Sequence, residues 1–204
     1  MLDGVSIWVQ DVIEQLGALG VALLVIIENL FPPIPSEIVL PFAGFVAQQG
    51  PGSVVVMIAA ATAGSIIGAL VLYGVAAWLG QDRIRQFVLR FGKWFTVREA
   101  DLNRAEAWFD RHSFMAVTLG RCVPLVRSIV SLPAGFYRMP LLRYTIGTAI
   151  GSLVWNIALI GAGAALGHRW DVVERYVGYF QYVVIIAIMA VVARFVVRRI
   201  TSRR

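Results

Sequence analysis

From Ser53 to Leu79 the chain runs through 27 residues without a charged side chain. As a helix at 1.5 Å per residue this stretch is about 40 Å long, enough to cross a hydrocarbon core about 30 Å thick. A second run, 141–167, holds one charged residue near its start, Arg143, and a third covers 178–197. Three such runs in 204 residues, with 59% hydrophobic and only 15% charged residues, leave too little polar surface for a soluble domain. No Ser/Pro/Gly-rich linker divides the sequence, so one membrane domain is the simplest partition.

Two further apolar segments are broken. Between 17 and 48 the apolar character is interrupted by Glu28, then by Pro32, Pro33, Pro35 and Glu37. Three prolines in four positions cannot continue a helix. The two arms have roughly 10–14 residues each, or about 15–21 Å of helix, too short to span the bilayer. A re-entrant hairpin fits: in, turn at depth, and out on the same side. Such non-helical backbone is tolerated where it is buried in protein or lines a wet cavity. Residues 113–137 repeat the pattern, with Arg121, Pro124, Arg127, Pro133 and Gly135 inside an otherwise apolar stretch.

The rest is read by charge. Residues 5–16 place Trp8, Val9, Val12, Ile13 and Leu16 opposite Asp11 and Glu14, the pattern of an interfacial amphipathic helix. Residues 82–112 mix Arg and acidic side chains with aromatic ones, which suits a solvated face above an interfacial aromatic belt better than nucleic-acid binding. The formal net charge is +6, yet every Lys and Arg lies from Arg83 onward. With the Arg-rich C-terminal tail placed inside, the loop from Arg138 to Arg143 and the 82–112 segment fall inside too, provided both broken segments are re-entrant. The Lys/Arg-free N-terminal part then falls outside, as the positive-inside rule requires. The fold expected is an all-α polytopic membrane protein. Two re-entrant hairpins enter from opposite faces, as in transporters built from inverted repeats. The start of the chain lacks a basic n-region and a small-residue cleavage site, so no removable leader is expected.

Glu28, Glu37, Arg121 and Arg127 are the candidate site. A charge at the centre of a membrane helix costs roughly 2.5–3.5 kcal/mol on insertion scales, so such groups face a bundle interior and pair or work. Pairing either carboxylate with either guanidinium would lower that cost. A carboxylate taken out of water binds and releases protons nearer neutral pH, whereas arginine stays charged and forks onto phosphate or carboxylate oxygens. Proline-broken helix ends leave backbone N–H groups free to meet an anion. Together these residues suit an anionic headgroup beside a proton-titrating acid. A purely structural clamp between two hairpins is the competing reading. Gly64-x-x-x-Gly68 allows close helix contact, within a subunit or between copies of a homo-oligomer.

The segment Gly120-Arg121-Cys122-Val123-Pro124-Leu125-Val126-Arg127, followed by Pro133-Ala134-Gly135 and Met139-Pro140, resembles the signature of the DedA family. Glu28 with Pro32-Pro33-Ile34-Pro35-Ser36-Glu37 resembles that family's first hairpin, and Gly64, Gly68, Tyr73, Gly80 and Trp155 follow in family order. The resemblance covers roughly residues 15–165. It implies a bacterial inner-membrane protein with opposed hairpins, its C-terminus cytoplasmic and its N-terminus periplasmic. It implies a flippase returning undecaprenyl phosphate across the membrane, with the proton gradient as energy source and no cofactor. Glu28 and Glu37 would stand at the family's essential acidic positions, and Arg121 and Arg127 at its essential basic ones. The chain departs from the pattern at Cys122 (usually aromatic), Ala69 (commonly acidic), Tyr144 (commonly Phe) and Ser113 (frequently Gly).

Two other cargoes stay open on the residues alone: a phospholipid such as phosphatidylethanolamine, or a small ion moved with protons. A non-transport membrane scaffold also stays open. The lone Cys122 and the isolated His112 and His168 give no disulfide and no metal-ligand spacing, and no hydrolase motif is present. The chain is expected not to be an enzyme.

Overall fold

A computed structural model of the chain describes residues 2–31, 36–49, 53–81, 83, 86, 99–124 and 126–166. Pro32, Pro33 and Pro35, most of 82–98, and the third apolar run at 178–197 lie outside the described residues. Every element among the described residues is a helix: α1 (Leu2–Leu16), α2 (Ala18–Leu30), α3 (Ser36–Gln49), α4 (Val54–Leu79), α5 (Glu99–Gly120), α6 (Val126–Ile129), α7 (Ser131–Phe136) and α8 (Leu141–Leu166).

Local chemistry sets the ends. Gly17 separates α1 from α2 with a φ of 56°, a conformation that costs a residue without Cβ nothing. Gly80 ends α4 with a φ of 75°, its N–H donating to Ala76 O at 3.1 Å. Arg138 takes a φ of 49° after α7, while Met139 N–H donates to Ala134 O at 2.9 Å and Pro140 prevents the helix from continuing. The polarity boundary at 112/113 is not a structural boundary. Helix α5 runs through it, because the composition changes there without Gly or Pro to break the ladder.

Helices α4 and α8 are long and apolar enough to cross a membrane. Only 33% and 28% of their most apolar windows are buried inside the chain, whereas the core helix of a soluble protein is mostly buried. They run antiparallel: Asn156 Nδ2 donates to Thr62 Oγ1 at 3.1 Å, and Tyr144 Oη donates to Ala69 O at 3.0 Å. The shorter helices divide between them. Helix α2 packs on α4 and α3 on α8, while α5 packs on α8 and α7 on α4. Glycines mark the levels. Gly64 and Gly68 of α4 lie against Ala22 and Asn29 of α2, and Gly163 of α8 lies against Pro41 of α3. Gly147 and Gly151 of α8 lie against Phe114, Thr118 and Arg121. Gly135 of α7 lies against Tyr73 and Ala76. The α2–α3 pair thus sits toward the Val54 end of α4 and the Leu166 end of α8. The α5–α7 group sits toward the opposite ends of both.

Each group has its own apolar core. One joins Val9 and Ile13 of α1 with Val21, Leu24, Val39, Leu40 and Ile160; the other joins Phe109, Val117, Val130, Ala134 and Tyr144. The apolar face of α1 is therefore divided: Val9 and Ile13 pack into protein, while Trp8 and Leu16 stay exposed. The Gly64-x-x-x-Gly68 pair meets α2 of the same chain, so the contact is internal.

Candidate functional site

The two groups meet between the long helices, where Glu28, Arg121 and Arg127 are buried; Glu37 is buried as well. Glu28, in the last turn of α2, forms an ion pair through Oε1 with Nη2 of Arg127 on α6. Its other oxygen, Oε2, is buried and has no hydrogen-bond partner among the described residues. A buried pair of this kind lowers the cost of two desolvated charges only while both partners remain.

Arg121 has other company. It lies in the turn that follows α5 and is 2% exposed. Nη1 donates to Asn29 Oδ1 at 2.9 Å. Nη2 donates to Ser131 Oγ at 2.8 Å and to Tyr144 Oη at 3.1 Å. Two of the three acceptors are themselves oriented. Asn29 Nδ2 donates back to Val25 O at 2.8 Å, and the Tyr144 hydroxyl donates to Ala69 O. The ring of Tyr144 stacks on that of Tyr73 with centroids 4.8 Å apart, and Tyr73 Oη donates to Met139 O at 2.7 Å. One guanidinium therefore ties α2, α7 and α8 together directly, and α4 through Tyr144.

Two glycines make room for it. A Cβ on Gly68 would fall 2.7 Å from Asn29 Cβ, and a Cβ on Gly151 would fall 2.7 Å from Arg121 Cβ. Both are closer than non-bonded carbons approach, so α2 and the end of α5 reach the long helices only where these side chains are missing.

Glu28 and Arg127 are brought together, and Arg121 is joined to Glu28 only through its neighbour Asn29. Glu37 is buried in the first turn of α3. Pro124 is buried beside Arg121 in the turn, Pro133 lies inside α7, and Gly135 is buried against α4. Asn29, Ser131 and Tyr144 are site residues that a search for charge does not find. One signal in the sequence points to Tyr144: with Thr148, Ser152 and Asn156 it marks every fourth residue of an apolar span with a polar group, and all four are buried.

Residues 34–165 match the VTT domain. The chain belongs to the VTT-domain family, the DedA family of the sequence reading. It is 41% identical over 183 residues to an alkaline phosphatase-like protein of Lactococcus lactis subsp. cremoris, covering 89% of this chain and 85% of that protein. It is 31% identical to undecaprenyl phosphate transporter A of Staphylococcus aureus, over 96% of this chain and 97% of that one. It is 30% identical to undecaprenyl phosphate transporter A of Bacillus subtilis, over 93% and 92%. No solved structure matches. The family, its transporter members and the two apolar helices make this a membrane protein of the transporter class and not an enzyme. Among the described residues no three His, Cys, Asp or Glu side chains are placed to share a metal ion.

Proposed function

We propose that the chain is a proton-coupled lipid flippase that returns undecaprenyl phosphate across the bacterial inner membrane for cell-envelope synthesis. The observation that carries this reading is the buried Glu28–Arg127 ion pair, which links the two helical groups at their meeting point. A phosphate oxyanion and the Glu28 carboxylate are rival partners for one guanidinium. Proton uptake by Glu28 removes the rival and leaves Arg127 to the headgroup; proton release re-forms the pair and expels the headgroup. Acidification therefore favours the bound form. Glu37, at the start of the second arm, is the second proton-coupling residue. Arg121, held by neutral partners, supplies the fixed positive charge of the site.

The two helical groups act as re-entrant hairpins entering from opposite faces. Supporting this, α2 and α3 pack toward one pair of ends of α4 and α8, and α5 and α7 toward the other pair. Exchanging the halves maps α2 on α4 to α5 on α8, and α3 on α8 to α7 on α4, as expected of an inverted repeat. The C-terminus is then cytoplasmic and the N-terminus periplasmic. The hydrocarbon tail stays in the lipid while the headgroup crosses between the hairpins, which gate access from each leaflet.

The test is reconstitution into liposomes with labelled undecaprenyl phosphate. Arg127→Ala is expected to abolish movement driven by a pH gradient. Glu28→Gln, a permanent stand-in for the protonated acid, is expected to keep headgroup binding and lose its pH dependence. Arg127→Lys should fail like Arg127→Ala, since a point charge does not replace a bidentate fork. Transbilayer movement indifferent to Arg127→Ala and to collapse of the gradient would overturn the reading. Preference for another headgroup in direct competition would change the cargo and leave the mechanism standing.

A further inference from the structure

Four threonines lie among the described residues, and three satisfy their hydroxyls locally. Thr62, Thr118 and Thr145 donate to the carbonyl four residues earlier at 2.7, 2.8 and 2.8 Å. Thr148 does not: it is 1% exposed, and its Oγ1 has no hydrogen-bond partner among the described residues. A threonine in a membrane helix ordinarily satisfies its hydroxyl by this back-bond, so a buried hydroxyl that forgoes it calls for an explanation.

Arg121 has a matching orphan. Its side chain starts with Cβ against Gly151 and ends with Nη2 on the hydroxyl of Tyr144. Thr148 lies between those two residues on the same buried face of α8, three positions before Gly151 and four after Tyr144. The guanidinium stem therefore passes along the turn that carries Thr148. Its Nε–H, buried, is unpartnered as well among the described residues. Among the described residues the three hydrogen-bond acceptors of Arg121 are neutral, and none of them neutralises its charge.

We propose that Thr148 Oγ1 and Arg121 Nε form an oxyanion-binding point for a phosphate-type oxygen, separate from the Glu28–Arg127 pair. This rests on the chain being a carrier of an anionic headgroup. Asn29, Ser131 and Tyr144 are then positioning residues: they occupy the Nη side of the guanidinium and aim Nε at the turn of Thr148. The headgroup makes its first contact here, while Arg127 is still engaged by Glu28.

The experiment is Thr148→Val, with Thr148→Ser as the conservative partner and Thr145→Val as the control. A buried hydroxyl without a partner contributes nothing to folding, so the isosteric valine should leave the melting temperature unchanged or raise it. A hydroxyl that donates to a charged oxygen contributes roughly tenfold or more to affinity. In liposomes, Thr148→Val is expected to raise the lipid-phosphate concentration for half-maximal transport by about that factor. Thr148→Ser, which keeps the hydroxyl, should recover most of what Thr148→Val loses, and Thr145→Val should match the unmodified chain. Inorganic phosphate as competitor separates the sources. Inhibition that Thr148→Val relieves assigns the point to phosphate as such; no inhibition alongside the Thr148→Val effect assigns it to a lipid-borne headgroup. An unchanged concentration dependence in Thr148→Val, or a melting temperature that falls in step with affinity, overturns the proposal. Indifference to Arg127→Ala in the same assay would sink the flippase reading instead, so the two failures are distinguishable.

Discussion

A single arginine shows how this site departs from one built of ion pairs. The described partners of Arg121 are an amide and two hydroxyls, and the most exacting is Tyr144, which accepts from Arg121 and donates to Ala69 O. Positions 69 and 144 are two at which the chain departs from the DedA pattern, Ala for an acid and Tyr for Phe. The departures fit each other: a phenol hydroxyl supplies by dipole what a nearby carboxylate would supply by charge. Tyr144→Phe is expected to destabilise the protein by about 1–3 kcal/mol, since it leaves a buried guanidinium N–H without its partner and removes a second hydrogen bond from the Ala69 carbonyl. Adding Ala69→Asp to Tyr144→Phe should recover part of the loss, while Ala69→Asp alone should not stabilise. Thermal unfolding of the four proteins in detergent, read as a double-mutant cycle, measures the coupling. Glu28, Glu37, Arg121 and Arg127 were legible in the sequence because a charge in an apolar run stands out letter by letter. How they divide was not. Spacing does not reveal that Arg127 meets a carboxylate while Arg121 meets neutral groups, because the partners come from other helices. Asn29 and Ser131 were invisible, since small polar residues in membrane helices commonly serve packing alone.

At the scale of the helix, close approach is what carries function. Gly68 admits Asn29, and Gly151 admits Arg121, at the same place in two Gly-x-x-x-Gly pairs, Gly64 with Gly68 and Gly147 with Gly151. One pair holds α2 to α4 and the other α5 to α8, and Asn29 and Arg121, each beside the second glycine of its pair, are hydrogen-bonded to each other. The first pair was legible as a packing motif. The partner it meets was not, because a small-residue stripe specifies a near neighbour without naming it. A methyl group at either inner glycine would displace its neighbour. Gly68→Ala and Gly151→Ala are each expected to cost about 1–3 kcal/mol by overpacking and to lower transport. Gly74→Ala is the internal control. A Cβ there meets nothing within 4 Å, so the substitution should be neutral or stabilise by up to about 1 kcal/mol through helix propensity. Melting temperatures of the three variants separate contact from propensity, because one substitution made in three helical settings changes sign.

For the whole molecule, the deciding quantity is length against thickness. Helices α2 and α3 have 13 and 14 residues, about 20 Å each, and so reach only part of the way through a core of about 30 Å. Helix α2 lies beside Gly64 and Gly68, near the middle of the 26-residue α4; with α4 spanning the membrane as proposed, the C-terminal end of α2 would stop at mid-membrane depth. Two arms that turn there must leave by the face they entered. The proposed topology is therefore expected to put Leu16, Gln49 and Ser53 on one side of the membrane, although about 30 apolar-rich residues separate the first two. The proposed second hairpin is expected to put Asp110 and Pro140 on the other side, together with Gln81. Single cysteines at these six positions, in a Cys122→Ser background, make the geometry measurable with a membrane-impermeant maleimide. Positions 16, 49 and 53 are expected to label in intact cells. Positions 81, 110 and 140 should label only after permeabilisation. Labelling of 16 and 49 from opposite sides would mean that the first broken segment crosses the membrane. The Lys/Arg asymmetry would then need another explanation, because each added crossing moves a basic loop to the wrong face. Labelling as expected would fix the direction of the site as well. On that result the first hairpin would bring Glu28 and Glu37 from the periplasmic side and the second would bring Arg121 and Arg127 from the cytoplasmic side, so that the Glu28–Arg127 pair joins groups from opposite leaflets.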